Sequence, residues 1–426
     1  MKLVSLALVT IAALTIVAHA QTAPPDAAPE PAPEPAPVEP APVEPAVIPA
    51  PVEAIPAPPA EPAPAISDRG TSRNFAGSVQ LDYLALARRD VDPDTVFAGP
   101  TVELSLKLAM DLGEHVSATV KVCYSCHGFE VGMAYFDLRA ADELAVRVGR
   151  FTPSFGSFPL RHDPANHATS DKPLAYDMGR MVRFRDWNEG VLPAPWVDNG
   201  VEVNGSHFVG SVQLDYAAYA MAGPKGSADG IDFDYTQSRS GERYYVDNNA
   251  EPIVGARFAL TLDLAPRRLL TIGASGMAGH YDPAHRLGFA IAGADVTLQL
   301  GRAFLRAEAL ARWTKFALGD DPTARFKYGP AADGNFSNYF YKDGFATELE
   351  VPVGRVTMIA RYDGLRRAGN VLATSALSNR STVWRYTAGL AIRIAMALQL
   401  KMSLERYDFS DFADETAAHL GIAGPF

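Results

Sequence analysis

Residues 122–129 read VCYSCHGF and hold both cysteines of the 426-residue chain, Cys123 and Cys126, with His127 directly behind them. Two thiols three positions apart can take the two vinyl groups of a porphyrin, and an adjacent imidazole can ligate its iron. This is the spacing at which haem c is attached. Two other chemistries fit the same atoms. Cys123 and Cys126 can close a disulfide in an oxidising compartment, or the two thiolates and His127 can join a further histidine around zinc. Haem would need a second axial ligand, and His162, His167, Met178 and Met181 in the following long segment are the candidates.

Other reactive constellations are missing. No hydrolase elbow, phosphate-binding loop or H-E-x-x-H occurs, and Asp229, Asp232 and Asp234 are out of EF-hand register. The chain reads as a non-enzyme. Its net charge of −11, from 38 basic and 49 acidic residues, argues against a nucleic-acid binder. Two cysteines exclude a disulfide-dense scaffold.

The elements that must position the motif begin after a leader. Lys2, the apolar run LVSLALVTIAALTIVA and AHA before Gln21 predict a signal peptide over 1–20. Residues 21–70 are a Pro/Ala/Glu repeat. Proline fixes φ and lacks an N–H donor, so this stretch is expected to be a disordered, extended linker, its repeat from Thr22 to about Ala65 reaching roughly 130 Å at ~3.1 Å per residue. It would lie in the periplasm, placed to contact peptidoglycan.

Residues 71–426 alternate with period two. TVELSLKLAM sets Val102, Leu104, Leu106, Leu108 and Met110 against Thr101, Glu103, Ser105 and Lys107. WRYTAGLAIRI and ALQLKMSLERY divide the same way, and GSVQLDY occurs at 77–83 and again at 210–216. Aromatic residues near strand ends (Tyr83, Tyr135, Tyr216, Trp313, Tyr362, Trp384) suit interfacial girdles. Short connections such as DLGE, LGR and VGR alternate with long ones, including about 152–196, 222–251, 317–339 and 364–380. About fifteen strands are clear, and the Gly- and Pro-containing tail HLGIAGPF is the poor candidate for the one that makes the number even. The expected fold is all-β: a transmembrane antiparallel β-barrel of about 16 strands in the lipid of the bacterial outer membrane.

By alternation the lumen receives Lys107, Arg257, Arg306, Glu308, Arg312, Arg361, Asp363, Arg385, Arg393 and Lys401. The mixture leans basic, which predicts a weak preference for anions. Residues 152–196 form a connection too long to lack a function. As the third long-side connection it matches the layout of general porins, whose third outer loop narrows the pore. Arg161, Asp163, Lys172, Arg180, Arg183 and Arg185 are its constriction candidates.

The stretch LAVRVGRFTPSFG, at 144–156, resembles the phosphate-selective porin O and P family through Gly149, Arg150, Phe151, Pro153, Phe155 and Gly156. The resemblance implies a passive channel assembled as a homotrimer. A lysine-rich run that would carry over a phosphate site is missing. The expected function is therefore a porin for small hydrophilic solutes, anions among them. Two alternatives stand beside it: a barrel that carries haem c for electron transfer, and a structural barrel tethered to the cell wall by its Pro-rich arm.

Overall fold

The computed structural model describes residues 72–87, 98–125, 128–141, 143–178, 183–188, 190–235 and 247–426. The expected leader and Pro-rich linker lie outside them. The strands are β1 (Arg73–Leu86), β2 (Gly99–Asp111), β3 (Val116–Ser125), β4 (Gly128–Ala141), β5 (Leu144–Phe151), β6 (Asp198–Val209), β7 (Val212–Met221) and β8 (Ile253–Ala265). The second half comprises β9 (Arg268–His280), β10 (Gly288–Leu300), β11 (Ala303–Lys315), β12 (Tyr339–Val353), β13 (Val356–Ala368), β14 (Arg380–Arg393), β15 (Gln399–Phe409) and β16 (Glu415–Pro425).

Each strand pairs with its sequence neighbours, and β1 pairs antiparallel with β16, so the sheet closes into a sixteen-strand barrel. Closure leaves no open sheet edge, which is the condition for a sheet to sit in lipid. The tail is a full strand despite its glycines. Gly77 N donates to Phe426 O (2.8 Å) and Phe426 N to Gly77 O (3.0 Å). The Phe426 ring occupies the space that a side chain at Gly77 would fill, and it packs against Phe75. Within the tail, Gly421 leaves room for the Asp82 carboxylate and the Ser170 hydroxyl.

At one end the strands join through turns as short as two residues, where Gly301 and Gly354 supply the left-handed φ (+66° and +62°) that such turns demand. At the other end lie the long connections, with 152–197 the longest.

Alternation sorts the faces as expected. Val102, Val254, Phe258, Tyr386 and Leu404 are exposed on the outer wall, while Ser105, Arg385, Lys401 and Glu405 are buried on the inner one. The two GSVQLDY copies keep one orientation: Gln80 and Asp82 share the inward parity of buried Ser78, and Gln213 and Asp215 that of buried Ala217. One girdle assignment is corrected. Tyr135 pairs with buried Thr119, meets Phe151 edge-on at 6.2 Å and lies under Arg147, so it faces inward. The register shift between Lys121 and Val122 changes the facing that simple counting gives to β4.

Candidate functional site

The long connection 152–197 runs through the lumen. Its turn at Leu174–Tyr176 contacts β12 and β13, and its turn at Pro164–Asn166 contacts β1 and β16. The loop thus leaves β5 and reaches strands across the barrel. It can stay there because it is apolar where it crosses. Phe155, Phe158, Leu174, Tyr176, Trp187 and Trp196 are buried against inward-facing Met221, Ile253, Met277, Phe289, Leu310 and Leu365.

Polar contacts fix its entry. Gly156 adopts φ +65°, and a Cβ there would collide with the Tyr176 hydroxyl and the Glu308 carboxylate. Glu308 accepts from Ser157 N (2.8 Å), Ser157 Oγ (3.0 Å), Phe158 N (3.1 Å) and the Tyr176 hydroxyl. Burial and the nearby Glu308 charge push the Tyr176 phenol well above its ordinary value, keeping it a donor.

The far side is held by charge. Asp171 pairs with Arg385 and lies 3.4 Å from Arg361. Arg385 also donates to Lys172 O (2.6 Å) and to both oxygens of Asp363 (2.9 and 2.6 Å), while Asp363 accepts from Leu174 N (2.8 Å). Arg361 is held by Glu348 (2.9 and 2.6 Å) and donates to Thr169 Oγ1. Lys401 Nζ donates to the carbonyls of Pro164 (2.5 Å) and Thr169 (3.1 Å). Burial opposes ionisation of Asp171, but Arg385 and Arg361 outweigh it and hold its carboxyl well below the usual range.

Several expected lumen residues thus line the loop's seat. Arg257 pairs with Asp295 (2.6 Å) and Arg312 with Asp232 (2.9 Å). Lys107 and Arg393 are exposed near the short-turn end, on the inward parity of Ser105 and Ala391. Arg306 pairs with Glu350 (2.8 Å).

Among the constriction candidates, Arg161 reaches Glu348 at 3.4 Å, Asp163 pairs with Lys121, and Arg183 pairs with Glu415 (3.0 Å). Lys172 is buried, donating to Ala194 O (2.8 Å) and Met178 Sδ (3.0 Å). Arg180 and the side chain of Arg185 lie outside the described residues. Arg161, Arg306 and Glu348 line a small recess together with Ser157, Phe158 and Tyr176.

Cys123 lies on β3 with the inward parity of Lys121. Cys126, His127 and Met181 fall outside the described residues, so neither the haem nor the disulfide or zinc chemistry can be located there. The loop does reach this strand: Lys121 meets both His162 (3.0 Å) and Asp163. His162 is occupied at both nitrogens, by Lys121 and by Pro159 O (2.5 Å). His167 is buried beside Phe158, and among the described residues neither of its ring nitrogens has a hydrogen-bond partner.

The sequence reading missed Asp82, Lys121, Asp171, Glu348, Glu405 and His419. Alternation carries the signal for the five strand residues, each on the polar phase of its strand, although only Glu405 shares a strand with a recognised lumen position, Lys401. Asp171 had no signal, because a loop without periodicity gives no facing.

No protein-family model matches the chain, and no curated protein matches it in sequence. Solved structures match its fold. Salmonella typhi OmpF, in complex with daunomycin, aligns with a TM-score of 0.50 at 10% identity, covering 83% of this chain and 97% of that one. OmpT of Vibrio cholerae in a trimer form gives 0.47 at 9% identity (84% and 99% covered). OpdQ of Pseudomonas aeruginosa gives 0.41 at 13% identity (84% and 98% covered).

Proposed function

We propose that this barrel is a porin, a passive outer-membrane channel for small hydrophilic solutes whose throughput is set by the third long-side loop. The observation that carries the reading is the seating of that loop across the lumen, with Asp171 fixed between Arg385 and Arg361. A loop buried among aromatic residues on one side and salt-bridged on the other narrows a water-filled barrel without closing the sheet around it.

Any anion preference is weak in this proposal. Arg257, Arg312, Arg361 and Arg385 each face a carboxylate, so the basic lean of the wall is largely neutralised. Arg161 and Arg306 likewise face Glu348 and Glu350, and both line the recess beside Glu348, where Arg161 Nε lacks a hydrogen-bond partner among the described residues. A small carboxylate or phosphate passing there meets two guanidinium groups.

Purified protein in a planar bilayer is expected to give stepwise conductance, with a reversal potential shifted slightly towards anions in a salt gradient. Silence across voltage and salt would sink the porin reading. A cation-shifted reversal potential would remove the anion preference alone.

A further inference from the structure

Asp171, Glu405 and His419 bring one carboxylate oxygen each and an imidazole nitrogen within 4.8 Å of one another, all buried. The three come from separate elements: the third loop, β15 and β16. His419 Nδ1 bonds Asp82 Oδ2 at 2.8 Å. With Nδ1 as the donor, the Nε2 lone pair faces the cluster. This carboxylate–histidine arrangement is the one that orients imidazoles towards metals.

Among the described residues His419 Nε2, which is turned towards Glu405, has no hydrogen-bond partner, and neither has Glu405 Oε1, although both side chains are fully buried. His419 Nε2 lies 3.7 Å from Glu405 Oε2, too far for a hydrogen bond. Glu405 Oε2 is already satisfied by the Tyr407 hydroxyl (2.7 Å). Unmet buried polar atoms are costly, and in folded proteins such atoms point to an ordered water, an ion or a shared proton.

Charge points the same way. Asp171, Asp363 and Glu405 gather around Arg385, and Asp82 with Glu405 around His419, while Arg361 is shared by Asp171 and Glu348. One more cation would relieve that excess of carboxylates. Asp171 is oriented by Arg385 and Arg361, as ligating carboxylates commonly are by their own hydrogen bonds.

We propose that Asp171, Glu405 and His419 bind one divalent transition-metal cation that staples the third loop to the barrel wall. One imidazole and two carboxylates suit zinc and its first-row neighbours. The staple would form as the loop docks, since each ligand is buried once it has docked. The proposal concerns binding alone and does not depend on the barrel conducting.

Zinc ion alone is the probe. The full chain, purified in detergent without a histidine tag, is stripped with chelator and equilibrated with zinc; bound metal per chain is then counted by mass spectrometry. Because Cys123, the neighbouring Cys126 and His127, and the Glu251–His280–His285 cluster at the rim can also take zinc, the readout is a difference. His419→Gln and Glu405→Gln are each expected to bind one zinc fewer than the native chain, with heat-modifiable gel mobility reporting that the barrel is folded. Should neither variant fold, zinc anomalous scattering from crystals of the native protein decides, with a peak between the three side chains expected. Equal zinc counts in native and folded variant protein, or no peak at that position, would overturn the proposal and assign the orphaned atoms to ordered water or shared protons.

Discussion

Asp171 and Arg385 stand 214 residues apart in the chain and meet as a salt bridge in which neither side chain reaches solvent. One belongs to a loop without periodicity, the other to the inner face of a strand. Because the wall guanidinium also holds Asp363 and the carbonyl of Lys172, the loop is clamped through both backbone and side chain. Removing one partner of a buried pair leaves an uncompensated charge, at a cost of about 3–5 kcal/mol.

The entry hinge should discriminate between two glycines of similar backbone. Gly156 (φ +65°) is walled in by Glu308 and Tyr176, whereas Gly210 (φ +61°) has open space around it. Gly156→Ala is expected to destabilise the loop by about 2–3 kcal/mol and Gly210→Ala by about 1 kcal/mol. Limited proteolysis within 152–197 reports the difference; equal sensitivity of the two variants would refute the hinge.

Acid should loosen the loop through two neutral histidines. Burial, with Lys121 beside it, lowers His162 to about 3; burial, with Lys401 and Arg161 nearby, lowers His167 well below its ordinary value. The folded loop disfavours their protonation. Their contribution is complete above the unfolded value of about 6.5 and drains as pH falls towards the folded values. Asp171 acts in a lower window, since its depressed carboxyl stabilises above about 3.9 and fails only as pH drops through its folded value. Loop proteolysis is expected to rise between pH 6.5 and 4, and to rise less in His167→Leu. A flat profile over that range contradicts this account.

The lipid face should be intolerant of charge where the lumen is not. Phe258 is exposed on the outer face of β8, and Thr261 faces inward beside Thr271. Phe258→Arg is expected to cost about 2–4 kcal/mol near mid-membrane and Thr261→Arg well under half that. Denaturant unfolding in lipid vesicles measures both; similar costs would argue against a membrane-embedded wall.

Much of the barrel was readable because strand periodicity is a local property. Val102 and Ser105 separate by counting alone, and so do Trp384 and Arg385. Two things escaped that reading. Tyr135 escaped because the bulge at Lys121 and Val122 resets the parity of β4. The partners of the lumen's arginines escaped because pairing depends on register across strands, as with Arg361 and Glu348 on neighbouring β13 and β12. The long loop was recognised by length, and its seat depended on contacts such as Asp171 with Arg385 that no local pattern encodes. The basic lean read from the lumen overstated the charge, since Asp82, Asp295, Glu348 and Glu405 were not counted against it.

Single-channel recording of the native protein beside Asp171→Ala decides whether the clamped loop sets the throughput of the pore. The clamped loop predicts small steps for the native barrel, and larger, noisier steps once Arg385 and Arg361 lose their hold on the loop. Identical step size and noise in the two proteins, with both folded, would contradict a loop that sets the throughput of the pore.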